Sequence, residues 1–232
     1  MMRARVSLEP SWVLHSREYR DTSRILEVFS AGHGRLTLFA RGARGPKSKL
    51  APLLMPFRAL LLSWSGRGDA AQLTGAESHG DMLTLPSRQV MSGFYLNELI
   101  ISLTTRHDPQ PQLFDDYGEA LRRLATDGAA EPTLRVFEKR LLTHLGYGLE
   151  FPVDARTYYR FHVGEGLAEV REDSPGAYPG RCLLALQDES LRDPESLDVA
   201  RRLLRQALDH CLEGRELRTR TVARSMARRG NT

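Results

Sequence analysis

The sequence has few of the features that secreted, membrane or metal-bound proteins need. It contains two cysteines, Cys182 and Cys211, among 232 residues, too few for a disulfide framework or a cysteine-rich zinc site. No run approaches the roughly 18 apolar residues of a membrane span, and the N-terminal segment lacks the apolar stretch of a secretory signal. We therefore expect a cytoplasmic protein with no metal and no other cofactor.

Motifs for catalysis are also missing. The seven histidines are scattered, and none lies in an HExxH pattern. Asp115 and Asp116 are adjacent on a predicted helix, so their carboxylates diverge. Neither GxSxG nor GxxxxGK[ST] occurs. These absences favour a binding protein over an enzyme, with a metal-dependent nuclease as a distant alternative.

Negative charge is missing from one long interval. No aspartate or glutamate lies between Glu27 and Asp69. Glycines at 42 and 45 let the backbone approach phosphates, which cations neutralise. A solubilising surface usually mixes both signs of charge, so a nucleic-acid surface is favoured over a solvated loop with incidental charge. The predicted binding residues are Arg35, Arg41, Arg44, Lys47 and Lys49.

The charge also varies along the whole chain. Residues 1–80 carry 12 Lys/Arg against 6 Asp/Glu, residues 81–214 carry 15 against 22, and residues 215–232 carry 6 against 1. This asymmetry predicts that polyanion binding is confined to the two ends of the sequence.

The first 80 residues predict a small β-barrel. Residues 35–41 alternate apolar and polar side chains, the pattern of a half-buried strand. Five such short runs are separated by glycine-containing turns, which suits an OB-fold and almost equally an SH3-like barrel. The predicted strands begin at Trp12 and cover 23–29, 35–41, 57–64 and 72–77.

Helical periodicity replaces this pattern after Pro86. Apolar stripes predict helices around 96–103, 113–124, 134–145 and 197–211, with Pro132 at the first position of the third and Asp193-Pro194 starting the fourth. Residues 150–185 lose this periodicity and predict a small β or irregular insertion. The end of the chain predicts a short basic helix or tail. The expected fold is α+β, with an OB-fold domain at 1–80 and an α-helical domain at 81–232.

Two further sets of side chains are candidates for binding. Bases stack on aromatic rings in single-strand binding proteins, and the barrel offers Trp12, Tyr19, Phe39 and Trp64, each of which could equally be core. Arginine beside apolar residues on helices suits an acidic-apolar peptide that ends in a carboxylate, although ordinary amphipathic helices look the same. The candidates for such a peptide site are Phe114, Arg135, Phe137 and Arg140.

Several motifs together resemble the RecO family of bacterial recombination mediators. Each is weakly specific, but their order and spacing cover almost the whole chain. They are Trp12-Val13-Leu14-His15-Ser16-Arg17-x-Tyr19-x-x-Thr22-Ser23, Gly34-Arg35, Ala40-Arg41-Gly42-Ala43-Arg44, Pro56-Phe57, Tyr95-Leu96-Asn97-Glu98-Leu99, Leu113-Phe114-x-x-Tyr117, Leu134-Arg135-x-Phe137-Glu138 and Leu141-Leu142-x-x-Leu145-Gly146-Tyr147-Gly148.

The resemblance implies a non-enzymatic DNA repair protein associated with the nucleoid. It implies binding of single- and double-stranded DNA, annealing of complementary strands, and loading of the RecA recombinase together with RecR on DNA coated by single-stranded-DNA-binding protein, whose acidic C-terminal tail is a partner. Some family members carry a four-cysteine zinc finger in the segment that corresponds to 150–185. This chain has only Cys182 there, so it resembles the zinc-free branch. An OB-type RNA-binding or ribosome-associated module is the alternative.

Overall fold

The structure, a computed structural model, describes residues 5–229 apart from 46–47, 67, 69–70, 81–82, 127–128, 150 and 163. The chain divides into two units: unit 1 comprises Met1–Asp127 with Leu217–Thr232, and unit 2 comprises Gly128–Glu216. The predicted domain boundary at residue 80 separates strands from helices and stays a prediction. No helix among the described residues is both long and apolar enough to cross a membrane.

Five strands form the barrel of unit 1. They close in the order β1-β2-β3-β5-β4, with β1 antiparallel to both β2 and β4 and β3 parallel to β5. This order is the Greek-key closure of an OB-fold, and it confirms the predicted fold class. The strands are β1 (Arg5–Tyr19), β2 (Ser23–Ser30), β3 (Gly34–Ala40), β4 (Ala59–Ser65) and β5 (Ala71–Ser78).

Strand β1 pairs with two strands, β2 and β4, and it contains a bulge against each of them. Its register shifts between Val6 and Glu9 against β4 and between Val13 and His15 against β2. A bulge bends a strand and increases its twist, so one strand can curve around the barrel. The sequence predicted β1 only from Trp12 onward, since residues 5–11 mix charged, apolar and proline residues without clear alternation.

Alternation on β3 separates the barrel core from its outer face. Leu36, Leu38 and Ala40 are buried in the core, whereas the side chains between them point outward. Three helices belong to the same unit: α1 (Val90–Leu103), α2 (Pro111–Ala125) and α6 (Arg218–Arg229). Helix α6 is the short basic helix predicted at the end of the chain.

Helices α1 and α2 bury part of the barrel's outer face through aromatic packing and one polar network. The Trp12 ring lies 5.5 Å from the Tyr117 ring, and Phe29 lies 5.7 Å from Phe114 (centroid distances). The buried Asn97 amide donates to the Leu14 carbonyl at 2.7 Å, and the Tyr117 hydroxyl donates to Asn97 Oδ1 at 2.5 Å. The network therefore joins β1, α1 and α2.

Unit 2 combines helices with a small sheet in the order β7-β6-β8. Asp193 caps α5 as predicted, since its carboxylate accepts the Ser196 N–H at 2.8 Å, and Pro194 is the first helical residue. The elements are α3 (Ala130–His144), β6 (Tyr158–His162), β7 (Gly166–Val170), β8 (Tyr178–Pro179), α4 (Gly180–Gln187) and α5 (Pro194–Cys211).

Two local predictions for unit 2 were wrong. Helix α3 begins at Ala130, so Pro132 is its third residue; its missing N–H is harmless there because the first turn has no intrahelical acceptor. Helix α4 was missed because eight residues are too short for a clear apolar stripe. Cys182 lies buried in this helix.

Candidate nucleic-acid interface

The segment that follows β3 carries most of the predicted binding cations. Arg41, Arg44 and Lys49 are all exposed. Lys47 lies outside the described residues. Arg41, Arg44 and Lys49 lie on the loop that leaves the barrel at Ala40 and returns to it in β4, so they border one end of the barrel.

This loop is anchored to the barrel. The Arg44 N–H donates to the Thr22 carbonyl at 3.1 Å, and the Ser48 hydroxyl donates to the Gly42 carbonyl at 2.6 Å. Farther along, Leu54 is fully buried in the barrel core. The loop cations are therefore held in place, which reduces the ordering entropy that binding a polyanion costs.

Arg44 also bridges the loop to the turn between β1 and β2. Its guanidinium lies 2.9 Å from the Glu18 carboxylate and donates to the Arg20 carbonyl at 3.3 Å. The side chains of Arg44 and Glu18 are 40% and 63% exposed, and a pair this exposed contributes little net stability. Arg44 can therefore exchange Glu18 for a phosphate at small cost.

An aromatic pair lies beside these cations. The Tyr19 and Phe39 rings are 5.7 Å apart in an edge-to-face arrangement, and the Arg20 guanidinium lies 5.2 Å from the Tyr19 ring centre. Tyr19 is 37% exposed and Phe39 is half-buried. Arg17 pairs with Ile25, which in turn pairs with Phe39, so Arg17 lies next to the pair on the outer face.

We call this surface the basic face. It combines exposed cations with a partly exposed ring, as single-strand binding surfaces do. The exposed Asp21 and the paired Glu18 offset part of its charge. The members of the basic face are Arg17, Tyr19, Arg20, Phe39, Arg41, Arg44 and Lys49.

Arg35 is not on the basic face. Its guanidinium donates to Glu27 at 2.6 Å and to the Thr104 carbonyl at 2.8 Å, and its side chain is only 11% exposed. Arg106 donates to the other Glu27 oxygen at 2.9 Å. Arg35 thus ties β3 to the segment after α1, and we leave it out of the proposed DNA surface.

Two of the four aromatic candidates are core residues. Trp12 is 5% exposed and packs on α2, and Trp64 is 3% exposed in the barrel core. The two that remain, Tyr19 and Phe39, are partners in the basic face. Sequence reasoning missed Arg17 and Arg20, although their place beside the β1–β2 turn, a ligand-binding region of OB-folds, could have indicated them.

The four candidates for an acidic peptide are not one exposed cluster. Phe114 belongs to unit 1 and packs against Trp12 and Phe29, whereas the other three belong to unit 2. Phe137 is 1% exposed, and Arg135 is buried with its guanidinium 2.8 Å from Glu138.

Arg140 is the most accessible of the unit 2 candidates. It donates to both carboxylate oxygens of Glu189, at 3.0 and 2.5 Å, and its side chain is 26% exposed. Lys139 approaches the same carboxylate at 3.3 Å. These cations, with the Arg140 hydrogen bond as the largest effect, lower the pKa of Glu189, so the acid is ionised at neutral pH.

The described residues contain no cluster of three or more His, Cys, Asp or Glu side chains suited to a metal ion.

Comparison with known proteins then decides the family. The family model described as Recombination protein O N terminal matches residues 5–80, and the one described as Recombination protein O C terminal matches residues 88–221. The chain belongs to the RecO family of recombination and DNA repair proteins.

Curated relatives agree over nearly the full length. The chain is 39% identical over 230 residues to the DNA repair protein RecO of Methylococcus capsulatus, covering 96% of this chain and 95% of the relative. It is 40% identical over 237 residues to that of Nitrosococcus oceani, covering 98% and 96%. The corresponding protein of Coxiella burnetii strain RSA 331 is 41% identical over 233 residues, covering 95% and 99%.

The structure gives physical reasons for some RecO-like motifs. In the Gly34-Arg35 motif, Gly34 has φ +65°, and a Cβ there would lie 2.1 Å from the Asp108 carbonyl oxygen. The next carbonyl, of Arg35, accepts the His107 N–H at 2.9 Å. This RecO motif therefore holds the segment after α1 against the barrel. Its position in the acid-free interval had instead indicated a role in DNA binding.

Proposed function

We propose that the chain is a non-catalytic mediator of DNA repair and recombination that binds DNA through the basic face. Membership of the RecO family supports the role in repair and recombination. The observation that carries the DNA surface is the placement of Arg41, Arg44 and Lys49 beside the Tyr19–Phe39 pair on the outer face of an OB barrel.

The loop cations and the Tyr19 ring would contact different parts of DNA. The loop cations neutralise phosphates without regard to sequence. A base of single-stranded DNA stacks on the exposed part of the Tyr19 ring, whereas a paired base is buried in its own stack and cannot. The same face thus binds both forms of DNA, and only the single-stranded form uses the ring.

Strand annealing follows from charge neutralisation and needs no catalytic residue. Two complementary strands held on cations repel each other less, so base pairing can begin. We propose that the protein anneals strands in this way, works with RecR, and helps load the RecA recombinase. Incubating DNA with the protein and Mg²⁺ should leave the strands uncut, and cleavage would restore the nuclease alternative.

The salt dependence of binding tests the proposed surface. Arg41, Arg44, Lys49 and Lys47 give up to four phosphate contacts, and Arg17 and Arg20 give up to two more. The slope of log K against log salt on single strands should therefore lie between about −2.8 and −4.2, at about 0.7 per phosphate. Fluorescence anisotropy of a labelled oligonucleotide measures the slope. Competition between DNA and RNA oligonucleotides of equal length separates the repair protein from the RNA-binding alternative, since the latter predicts preference for RNA.

A charge reversal gives the decisive variant. Arg41→Glu/Arg44→Glu should weaken binding to single- and double-stranded DNA by on the order of a hundredfold. Arg171→Glu/Arg192→Glu makes the same change of charge at two exposed arginines of unit 2 and should have a far smaller effect. Equal binding by the two variants would remove the basic face from the proposal.

We further propose that the acidic tail of single-stranded-DNA-binding protein pairs with Arg140, displacing Glu189. The exposure of Arg140 and its bidentate carboxylate contact support this choice over the buried Arg135 and Phe137. Titration of a labelled tail peptide against Arg140→Gln tests it, with Arg181→Gln as a control at another Arg–Glu pair, in which one guanidinium nitrogen contacts both Glu195 oxygens. Unchanged affinity for Arg140→Gln excludes that residue.

A further inference from the structure

Helix α6 is strongly basic but is not part of the basic face. Residues 217–232 contain five arginines and no acid. Arg218 and Arg224 are exposed, and with them Val222 at 44% and Met226 at 59%. A helix with this composition needs either a solvated position or a negatively charged partner.

The first turn of α6 is fixed to α1 by one carboxylate. Glu98 Oε1 accepts the Arg218 N–H at 2.7 Å, and Oε2 accepts the Thr219 N–H at 2.9 Å and its hydroxyl at 2.5 Å. Arg220 lies 5.8 Å from the centre of the Tyr95 ring and donates to its hydroxyl at 3.3 Å. α6 therefore has a defined position in unit 1.

That position brings α6 to strand β1. A cleft of about 560 Å³ is lined by Leu14 and His15 of β1, by residues of α1 and by Arg218, Thr219 and Val222 of α6. Tyr19 lies four residues beyond His15, which is about 13 Å along a strand. The exposed Arg17 lies between them. A cationic route thus leads from the basic face along β1 to α6.

The charges that face this cleft leave it suited to an anion. Its lining contains two carboxylates, Glu27 and Glu98. Glu27 is paired with Arg35 and Arg106, and Glu98 is bound to the amides of α6. Apolar side chains complete the lining, and among them Phe94 is 39% exposed and offers a ring edge or face to a base.

We infer that α6 extends the DNA-binding surface, so that a single strand held on the basic face continues past Arg17 to Arg218 and Arg224. The inference rests on the proposed function, because it lengthens the same binding surface. It predicts that the contribution of α6 depends on DNA length. A strand of about 4 nucleotides spans three steps of about 3.4 Å, which is shorter than the roughly 13 Å from Tyr19 to His15, and stays on the barrel, whereas one of about 24 exceeds the largest OB-fold site and reaches the helix.

The test compares affinities of the full chain for these two lengths. Arg218→Gln/Arg224→Gln removes two charges but keeps the backbone donors that Glu98 binds. It should weaken binding of the long strand by on the order of tenfold and lower its salt slope by about 1.4, at about 0.7 per lost phosphate. Binding of the short strand should stay within about twofold. Arg171→Gln/Arg192→Gln in unit 2 is the control with matched charge.

Each other outcome has a definite meaning. Unchanged binding of the long strand would overturn the inference and leave α6 as a solvated helix or a site for another acidic partner. An equal loss at both lengths would also overturn it, because α6 would then belong to the central site. The proposed function is tested separately by Arg41→Glu/Arg44→Glu, which should weaken both lengths; if it weakens neither, the basic face fails whatever α6 does.

Discussion

Arginines close together in this sequence have different environments. Arg35 and Arg41 are six residues apart in the same acid-free interval, yet Arg35 is buried on Glu27 and Arg41 is exposed. The interval begins just after Glu27, and Glu27 is the partner that the charge pattern left out of consideration. Charge counts located the basic region but could not distinguish its structural arginines from its exposed ones, because the pairing depends on strand register.

The Tyr19 ring should distinguish single-stranded from double-stranded DNA. Tyr19→Ala removes one stacking platform, worth about 1–3 kcal/mol, so affinity for single strands should fall by roughly 5- to 150-fold with little change for duplex. Anisotropy titrations with both DNA forms measure this. Tyr147→Ala changes a similarly exposed tyrosine in unit 2 and should affect neither form; an equal loss for duplex in Tyr19→Ala would contradict stacking.

Arg35 should prove structural. Arg35→Ala leaves the largely buried Glu27 with only Arg106 as an ionic partner, so the free energy of unfolding should fall by about 2 kcal/mol, less than for a fully orphaned buried charge. Denaturant titration measures the loss. At temperatures where the variant is folded, the salt slope for DNA should match that of the unmodified protein, and a slope reduced by about 0.7 would return Arg35 to the DNA surface.

Elements with a strong period were predictable, and those fixed by distant contacts were not. The alternation of β3 and the Asp193-Pro194 start of α5 were both confirmed. The N-terminal half of β1 was missed because its bulges break the period. Of the candidate site, the loop cations follow from charge alone, whereas the Tyr19–Phe39 pair depends on cross-strand neighbours that composition does not reveal.

The anchor of α6 gives a prediction with an unusual sign. Glu98→Ala makes the chain more positive, so charge alone predicts tighter DNA binding. Because Glu98 also holds three donors of the first turn of α6, we expect binding of a strand of about 24 nucleotides to weaken by a few-fold. Titration of long strands decides the sign. Glu213→Ala, an exposed acid of unit 2, serves as the charge control, and tighter long-strand binding by Glu98→Ala would show that α6 needs no fixed position.

The Glu189 cluster should make unit 2 sensitive to acid. The folded-state pKa of Glu189 is lowered, first by the Arg140 hydrogen bond. The contribution of ionised Glu189 to folding stability is therefore complete above the pKa that the residue has in the unfolded chain, about 4.3. This contribution is lost as the pH falls through the lower pKa of the folded state. Glu189→Gln should lower stability at pH 7 by about 1 kcal/mol, discounted for partial exposure, and should flatten the loss below pH 4.3. Chemical unfolding followed by circular dichroism at pH 7 and pH 3.5 measures both; parallel pH profiles would contradict the cluster's role.

At the scale of the whole molecule, the two tryptophans report on one unit. The sequence contains two tryptophans, Trp12 and Trp64, and both belong to unit 1. Tryptophan fluorescence therefore follows unit 1, whereas far-ultraviolet circular dichroism follows both units. The chain can thus be analysed unit by unit without being cut.

The buried Asn97 network should control the stability of unit 1 as a whole. Asn97→Ala removes the acceptor that the buried Tyr117 hydroxyl uses and the donor to the Leu14 carbonyl, at a cost of about 2–4 kcal/mol. The midpoint of fluorescence-detected unfolding in denaturant should fall accordingly. Asn97→Asp keeps an acceptor for Tyr117 but buries a charge and loses the donor to the Leu14 carbonyl, so it should lose at least as much stability. An unchanged midpoint in Asn97→Ala would show that the network is not stabilising.

The return of α6 to unit 1 sets an order of events on the ribosome. The barrel, α1 and α2 are synthesised first, but the partner of Glu98 is translated only after all of unit 2, residues 128–216. At about 5–20 residues per second this delay lasts roughly 4–18 s. During that time the surface of α1 around Glu98 is not yet covered by α6. We therefore expect a chaperone or another nascent chain to bind most readily at this surface during synthesis.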